Sequence, residues 1–417
     1  MVHATWPDRI QPAQGCVPAI ILCAGSNGLG AARSLHKAGI PTIALALSPE
    51  EPALWSRLPA RRILVTPQPD LTVAVLRALR ALRGCRAVIV PTSDKYVSLL
   101  VRYRQDLEHD FHLAVPSGEI AELLIDKSRE TRIMAECGVP LPRTVQELPV
   151  QPEALVEQLS LPLIIKPRSF EHSRYLGRKN IVVRTLAELA AFYARHGDQR
   201  WRFLAQEVIP GGDDALWVCN CTFNRRSELV AAFVFRRLRT SPAHFGVTSY
   251  AVSQSNPEVV RRVALIGVRL GYTGPAMVEF KYDFRDGEYK YLELNPRVGI
   301  CNWFDTLCGV NNVFAGYQVA RGMEVVPTAL RQRDGVMYLS FFEDSYARLK
   351  DGERPLGILR HYWANAGRRH AFAYFTWTDP LPCLVAGLRD ARQVCRGLIR
   401  KIMRVTPAGV TAREALA

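Results

Sequence analysis

Three oxygen-bearing side chains in the second half of the sequence stand at spacings that chemistry can use. Glu279 lies in the apolar run Ala276–Phe284, and Glu293 and Asn295 lie two apart in Glu288–Arg297. Residues i and i+2 of a strand point to the same face, so Glu293 and Asn295 project together. Asp286-Gly287 between the runs is a turn signal, and an antiparallel hairpin closed there sets Glu279 beside Glu293. Two carboxylates and an amide oxygen on one face are hard ligands suited to Mg²⁺. Two like charges that close repel, and a cation resolves the repulsion. The competing reading is two solvated glutamates on an exposed strand; the surrounding apolar residues argue for a covered face.

Lysine supplies only nine of the 54 basic residues, and two of the nine stand at telling places. Lys166 ends the apolar strand pattern LPLIIKP, and Lys127 follows Asp126 in a helical pattern. An ammonium at a strand end is a point-charge partner for phosphate. Taken singly, each is more often a surface lysine. Together with the acidic face they describe a site holding ATP phosphates against Mg²⁺.

These residues need elements to carry them. Val17–Cys23 reads as a buried parallel strand, followed by a Gly-rich turn, a helix ended by Gly39 and the strand Pro41–Leu47. Gly25, Gly28 and Gly30 superficially resemble a dinucleotide loop, but their order is G-x-x-G-x-G, and close strand–helix packing explains them equally well. Asp94 falls just past the strand RAVIV, where open α/β sheets place ligands or where a helix is capped. Beyond about Ser117 the texture changes to α+β. A helix pattern spans Ile120–Gly138, strands fall at 161–167, 181–183 and 203–209, and β-rich stretches follow Gly211-Gly212. The expected fold class is α/β and α+β.

Composition narrows the function classes. At 417 residues the chain should hold two or three domains of roughly 100–200 residues each. No apolar run approaches the roughly 20 residues of a membrane-spanning helix. The N-terminus has no signal-peptide pattern, so the expectation is a soluble cytoplasmic protein. Ten scattered cysteines without a CxxC fit a reducing compartment better than a zinc or disulfide framework. The net charge of +15 is carried by arginines spread along the whole chain, with no finger or RNA-recognition signature, so nucleic acid is not the expected partner.

In order, Asp126-Lys127, GVPLP at 138–142, LIIKP at 163–167, AQEVIPGGDD at 205–214, VEF at 278–280 and LELNPR at 292–297 resemble the ATP-grasp superfamily. The branch they look like is the carboxylate–amine ligases similar to D-aspartate ligase. The resemblance covers about residues 16–325. It implies a Rossmann-like pre-ATP-grasp domain at 16–118, a lysine-bearing subdomain at 119–205 and a metal-bearing subdomain at 206–325. A basic aromatic extension at 326–417 would stand apart from these. The implied activity is ATP-dependent activation of a carboxylate as acyl phosphate, then attack by an amine. Lys127 and Lys166 match the phosphate-binding lysines, and Gln206 to Ile209, with Glu207 inside, match the hinge that reads adenine. Asp213 or Asp214 matches the acid on the ribose hydroxyls. Glu279, Glu293 and Asn295 match ligands of Mg²⁺, with two ions implied and Mn²⁺ an acceptable substitute. Arg297 matches the arginine that steadies the transferring phosphoryl group, and Lys166 shares its catalytic setting. The alternatives are a kinase- or carboxylase-like member and a nucleotide-binding regulatory protein.

Departures mark where the resemblance thins. The family's glycine-rich flap is replaced by RSFEHSRYLGRKNIVV, whose polar candidates are Arg168, Ser169, His172 and Lys179. Lys179 is the one that recurs in this branch and joins the nucleotide-binding set; His172 is an acid–base candidate or a solvated loop residue. Arg236 and Arg239 are candidates for a substrate carboxylate, or arginines on an exposed strand. CNWFDTLCG at 301–309 lines an acceptor pocket or packs. The substrates are expected to be a small carboxylate and an amine, with an anionic cell-envelope or polysaccharide precursor suggested by the basic surface. A helix pattern at 384–404, leucines on one side and arginines on the other, suggests peripheral contact with the inner membrane surface, or packing on its own protein.

Overall fold

The apolar runs of the first hundred residues are short and uninterrupted, as strands covered on both faces must be. In the computed structural model, which describes residues 16–23, 25–65, 70–177, 180–327 and 331–392, they form a parallel sheet. Its strands are β1 (Ala19–Leu22), β2 (Thr42–Ala46), β3 (Arg61–Leu64), β4 (Val88–Pro91) and β5 (His112–Leu113), in the order β3-β2-β1-β4-β5. The crossover helix Gly25–Lys37 lies close against β1, because a Cβ on Gly28 would come within 2.8 Å of the Cys23 Cα.

A second, four-stranded antiparallel sheet contains β6 (Thr144–Val145), β7 (Leu163–Pro167), β8 (Ile181–Val183) and β9 (Phe203–Glu207), ordered β6-β9-β7-β8. The third sheet has seven strands: β10 (Leu216–Phe223), β11 (Leu229–Ser241), β12 (Val247–Ser253), β13 (Gly274–Asp283), β14 (Glu288–Asn295), β15 (Met337–Leu339) and β16 (His370–Phe372). Its order is β14-β13-β10-β11-β12-β15-β16, antiparallel except for the last pair. The segment from Val326, expected to stand apart, therefore extends this sheet, because Met337–Leu339 pairs with β12 and carries β16 on its far side.

Alternation along β11 divides its side chains between two cores. Phe233 and Phe235 join Ala19, Leu29, Leu35 and Phe304, so the helix Gly25–Lys37 packs between the parallel sheet and the large one. Ala232 and Val234 face the other way, toward Met134, Val259, Val263 and Ile266. The helix Lys127–Glu136 thus packs by Met134 onto the seven-stranded sheet, although it leads into the four-stranded one.

Candidate functional site

The hairpin forms as its turn signal requires. Gly287 takes φ +74°, its N–H donates to the Asp283 carbonyl at 2.9 Å, and β13 pairs with β14 with Glu279 directly opposite Glu293. Asn295 Nδ2 donates to Glu293 Oε1 at 3.1 Å, so all three oxygen-bearing residues meet on one face. That face, with both lysines, opens into a cavity of about 270 Å³.

Local chain geometry brings the lysines to it. Asp126 caps the helix Lys127–Glu136, accepting from the Ser128 and Arg129 amides at 2.8 and 3.2 Å. The Lys127 amide donates to the Arg168 carbonyl at 2.7 Å, which ties the helix start to the chain just beyond Lys166. Lys127 Nζ lies 2.9 Å from Glu130 Oε2 and 3.8 Å from Glu293 Oε2. Burial by itself would lower its pKa; the two carboxylates outweigh burial and hold the ammonium charged. Glu130 is anchored in turn on β14, accepting from the Leu294 amide at 2.8 Å and from the Tyr291 hydroxyl. Lys166 Nζ donates to Gln206 Oε1 at 2.7 Å, and Gln206 Nε2 donates to Thr144 Oγ1 at 3.0 Å, so one amide side chain joins three strands.

The segment Gln206–Ile209 is fixed from both sides. Glu207 accepts from the Arg143 amide at 2.8 Å and from Arg285 Nη2 at 3.2 Å. Burial would raise its pKa, but these two donors prevail and keep the carboxylate below its usual range. Lys281 Nζ donates to the Ile209 and Gly211 carbonyls, each at 2.8 Å, and burial lowers its pKa. Gln206, Glu207 and Ile209 line the cavity. Asp213 and Asp214 are not in its wall; Asp213 accepts from Thr240 Oγ1 at 2.8 Å, beside a loop whose His244 and Phe245 do line it. Lys179 lies outside the described residues.

Arg297 is buried and is not itself in the cavity wall, but it bonds two residues that are. Its Nε donates to Asp94 Oδ1 at 2.7 Å and its Nη2 to Asn295 Oδ1 at 3.2 Å. Asp94, the first residue of the helix Asp94–Arg102, comes from the parallel-sheet unit and lines the cavity, whereas Ser93 stands at the cap position without a side-chain bond.

The residue that sequence reasoning missed is Arg237. It sits on β11 with Nη1 2.8 Å from Glu279 Oε2 and Nη2 2.6 Å from Glu279 Oε1. Its signal was the alternation Phe233, Phe235, Arg237, which carries an inward face straight into a guanidinium. Arg236 and Arg239, the arginines singled out instead, do not reach the cavity. Arg236 points to the opposite side of the strand. After an irregularity between Arg237 and Arg239 the latter grips the buried Asp344, with Nε and Nη2 each 2.8 Å from its oxygens. His172 packs edge-on against Trp201, ring centroids 5.5 Å apart, and is likewise not in the cavity wall. Cys301 to Gly309 packs rather than lining a pocket: Asn302 Nδ2 donates to the Asn27 carbonyl at 3.1 Å. The dinucleotide reading of the Gly-rich turn fails too, because Glu51 Oε2 accepts from the Gly25 amide at 2.7 Å, where a phosphate would sit.

Glu279, Glu293 and Asn295 suit a divalent cation in donor type and in sharing one face. The cationic groups of Arg237 and Lys127 already compensate these carboxylates, as their proximity demands. Among the described residues no cluster of three His, Cys, Asp or Glu side chains is placed to hold a metal ion, and no helix is long and apolar enough to cross a membrane.

No family model matches the chain. A curated D-aspartate ligase from Enterococcus faecium (strain Aus0004) is 28% identical over 239 residues, 54% of this chain and 56% of that protein. The chain thus matches little more than half the length of this relative. Among solved structures, the biotin carboxylase domain of Hydrogenobacter thermophilus 2-oxoglutarate carboxylase, in complex with ADP, magnesium and bicarbonate, gives a TM-score of 0.60. Its identity is 14%, over 77% of this chain and 73% of that one. An N5-carboxyaminoimidazole ribonucleotide synthetase from Thermus thermophilus gives 0.57 at 20% identity, over 76% and 81% of the two chains. The likeness to the two structures is one of fold.

Proposed function

From a chain that carries the ATP-grasp fold, we propose an ATP-dependent carbon–nitrogen ligase. ATP transfers its γ-phosphoryl group to a carboxylate oxygen and ADP leaves. An amine nitrogen then attacks the acyl carbon, phosphate leaves, and the amide forms with loss of a proton. The observation that carries this reading is the single cavity where Lys127, Lys166, Glu279, Glu293 and Asn295 converge, with Arg297 bonded to two of its lining residues. Phosphoryl transfer needs positioning and charge neutralisation more than a protein base, and this wall supplies both.

In this reading Lys127 and Lys166 hold phosphate oxygens, with Lys179 a further contributor. The Gln206–Ile209 backbone reads the adenine, between aliphatic side chains such as Ile164 and Leu292. Asp213 or Asp214 takes the ribose from the rim. Glu279, Glu293 and Asn295 hold Mg²⁺, two ions in all, or Mn²⁺ in its place. The metal, when bound, neutralises phosphate charge and orients the γ-phosphoryl group. Arg297, steadied by Asp94, and Arg237 face the acyl phosphate. The lysine-bearing residues 119–205 and the metal-bearing residues 206–325 act as the two jaws, and the parallel-sheet unit closes the inner end. The substrates are a small carboxylate and an amine, the latter on an anionic cell-envelope or polysaccharide precursor; the unpaired thiols fit a cytoplasmic setting at the inner membrane surface.

The test is ADP and phosphate release with Mg²⁺ against amino acids supplied singly and in pairs. A pair-dependent signal, lost on Glu293→Ala, supports ligation. ADP release at equal rate with a carboxylate alone would move the reading to the kinase-like alternative.

A further inference from the structure

The helix Pro355–Asn365 has two apolar faces. On its inner one Ile358 is buried and Tyr362 packs on Tyr250, Met337 and Leu339 at the end of the large sheet. Its outer one carries Leu356, Leu359 and Trp363, which are 78%, 60% and 84% exposed. Spacings of three and four align them in one stripe. Phe372 packs on the same cluster as Tyr362, and ring contacts of 6.0 Å to Phe375 and 4.9 Å onward reach Trp377, which is 90% exposed. Isolated exposed leucines are ordinary, but a continuous stripe ending in tryptophan is the mark of a surface that something covers.

Cations border this stripe. Arg360 stands four residues after Leu356 and three before Trp363, Arg354 precedes the helix, and Arg368 and Arg369 follow it; all four are exposed. Among the described residues no carboxylate pairs with any of them. The neighbouring Glu353 is taken by Arg348, at 2.6 and 2.5 Å.

We infer that this face docks on an anionic phospholipid surface. Leucine and tryptophan enter the boundary between headgroups and acyl chains, while the long arginine stems carry their charge to lipid phosphates. A second copy of the chain fits less well. A twofold contact is self-complementary, and here it would set Arg354, Arg360, Arg368 and Arg369 against their own images with no acid to answer them. This face is distinct from residues 384–404, of which those beyond 392 lie outside the described residues. It stands independently of the ligase reading and would hold the enzyme where a membrane-linked amine acceptor is presented.

The experiment is co-sedimentation of the full chain with vesicles of phosphatidylcholine alone or mixed with phosphatidylglycerol. The full chain is expected to pellet with the mixed vesicles and to be released by high salt. The Leu359→Ser/Trp363→Ser double variant and Arg360→Glu should each bind at least roughly tenfold more weakly. Both should keep the wild-type melting temperature, since the altered side chains are exposed. Four outcomes would overturn the assignment: no pelleting, equal pelleting with neutral vesicles, undiminished binding by both variants, or loss confined to Leu384→Ser/Leu388→Ser. A lipid-free dimer dissolved by Trp363→Ser would also overturn it, in favour of self-association.

Discussion

Arg237 grips Glu279 with both terminal nitrogens, Nη1 at 2.8 Å from Oε2 and Nη2 at 2.6 Å from Oε1, and both side chains are almost wholly buried. Burial alone would lower the arginine's pKa; the carboxylate outweighs burial and keeps the guanidinium charged. A fork of this kind fixes the direction of the carboxylate as well as balancing its charge.

Removing the arginine leaves a buried, uncompensated carboxylate. Arg237→Ala should therefore lose about 3–5 kcal/mol of stability in EDTA. If Glu279 binds a divalent ion, Mg²⁺ should recover part of that loss in the variant and have less effect on the wild type. Urea denaturation of both proteins with EDTA or Mg²⁺ measures this. Identical Mg²⁺ responses would count against Glu279 as a ligand.

Lys166 and Gln206 make a second pair whose parts can be separated. A ligand present at a hundred times its Kd stabilises a fold by about 2.7 kcal/mol. Lys166→Met should weaken ATP binding roughly tenfold or more, which lowers that gain by about 1.4 kcal/mol. Gln206→Leu leaves the ammonium but removes its support, so its effect should be smaller. Melting temperatures with and without ATP rank the three proteins, and a full shift in Lys166→Met would remove this lysine from the phosphate site.

The contact between Asp94 and Arg297 crosses from the parallel-sheet unit to the end of the β13–β14 hairpin. Asp94→Asn keeps the shape and loses the charge that aims Arg297. Misplacing a group by about 1 Å costs on the order of a hundredfold in rate. The expected result is a tenfold to hundredfold fall in kcat, about 1.4–2.7 kcal/mol, with KM for ATP little changed. A rise in KM at constant kcat would mean that Asp94 acts in binding instead.

Much of this arrangement was legible in the chain. The hairpin that brings Glu279 near Glu293 follows from a turn signal, and the shared face of Glu293 and Asn295 from an i, i+2 spacing, both local properties. The parallel unit and the lysine-bearing strand end are equally local. The irregularity between Glu279 and Phe280 that skips Leu292 and sets Glu279 opposite Glu293 had no such signal. What else escaped were relationships between distant segments. The 42 residues separating Arg237 from Glu279 give no local clue that the two touch. Arg239 looked like an equivalent candidate until an irregularity in β11 turned it toward Asp344. The strands Met337–Leu339 and His370–Phe372 are three residues each, too short for a period to show, and they read as an appendage because the first pairs with β12, over eighty residues upstream, and the second joins the sheet only through the first.

Acid should loosen the hinge in a direction that its bonds dictate. Glu207 has its pKa held below the ordinary value by the Arg143 amide and Arg285, against the opposing effect of burial. A carboxylate depressed in the folded state contributes stability above its unfolded pKa, near 4.3 for glutamate. That contribution fades as pH falls through the lower, folded value, because protonation there removes the charge both donors favour. Glu207→Gln lacks the charge at every pH, so it should be less stable than the wild type at pH 7. The gap should stay level down to about pH 5 and narrow below it, as the wild type surrenders the same interaction. Denaturant midpoints at pH 7, 5, 4 and 3 trace this difference. A gap of constant size through pH 3 would show that the Glu207 charge does not stabilise the strand end, leaving Lys281 and its two carbonyl bonds to hold the hinge.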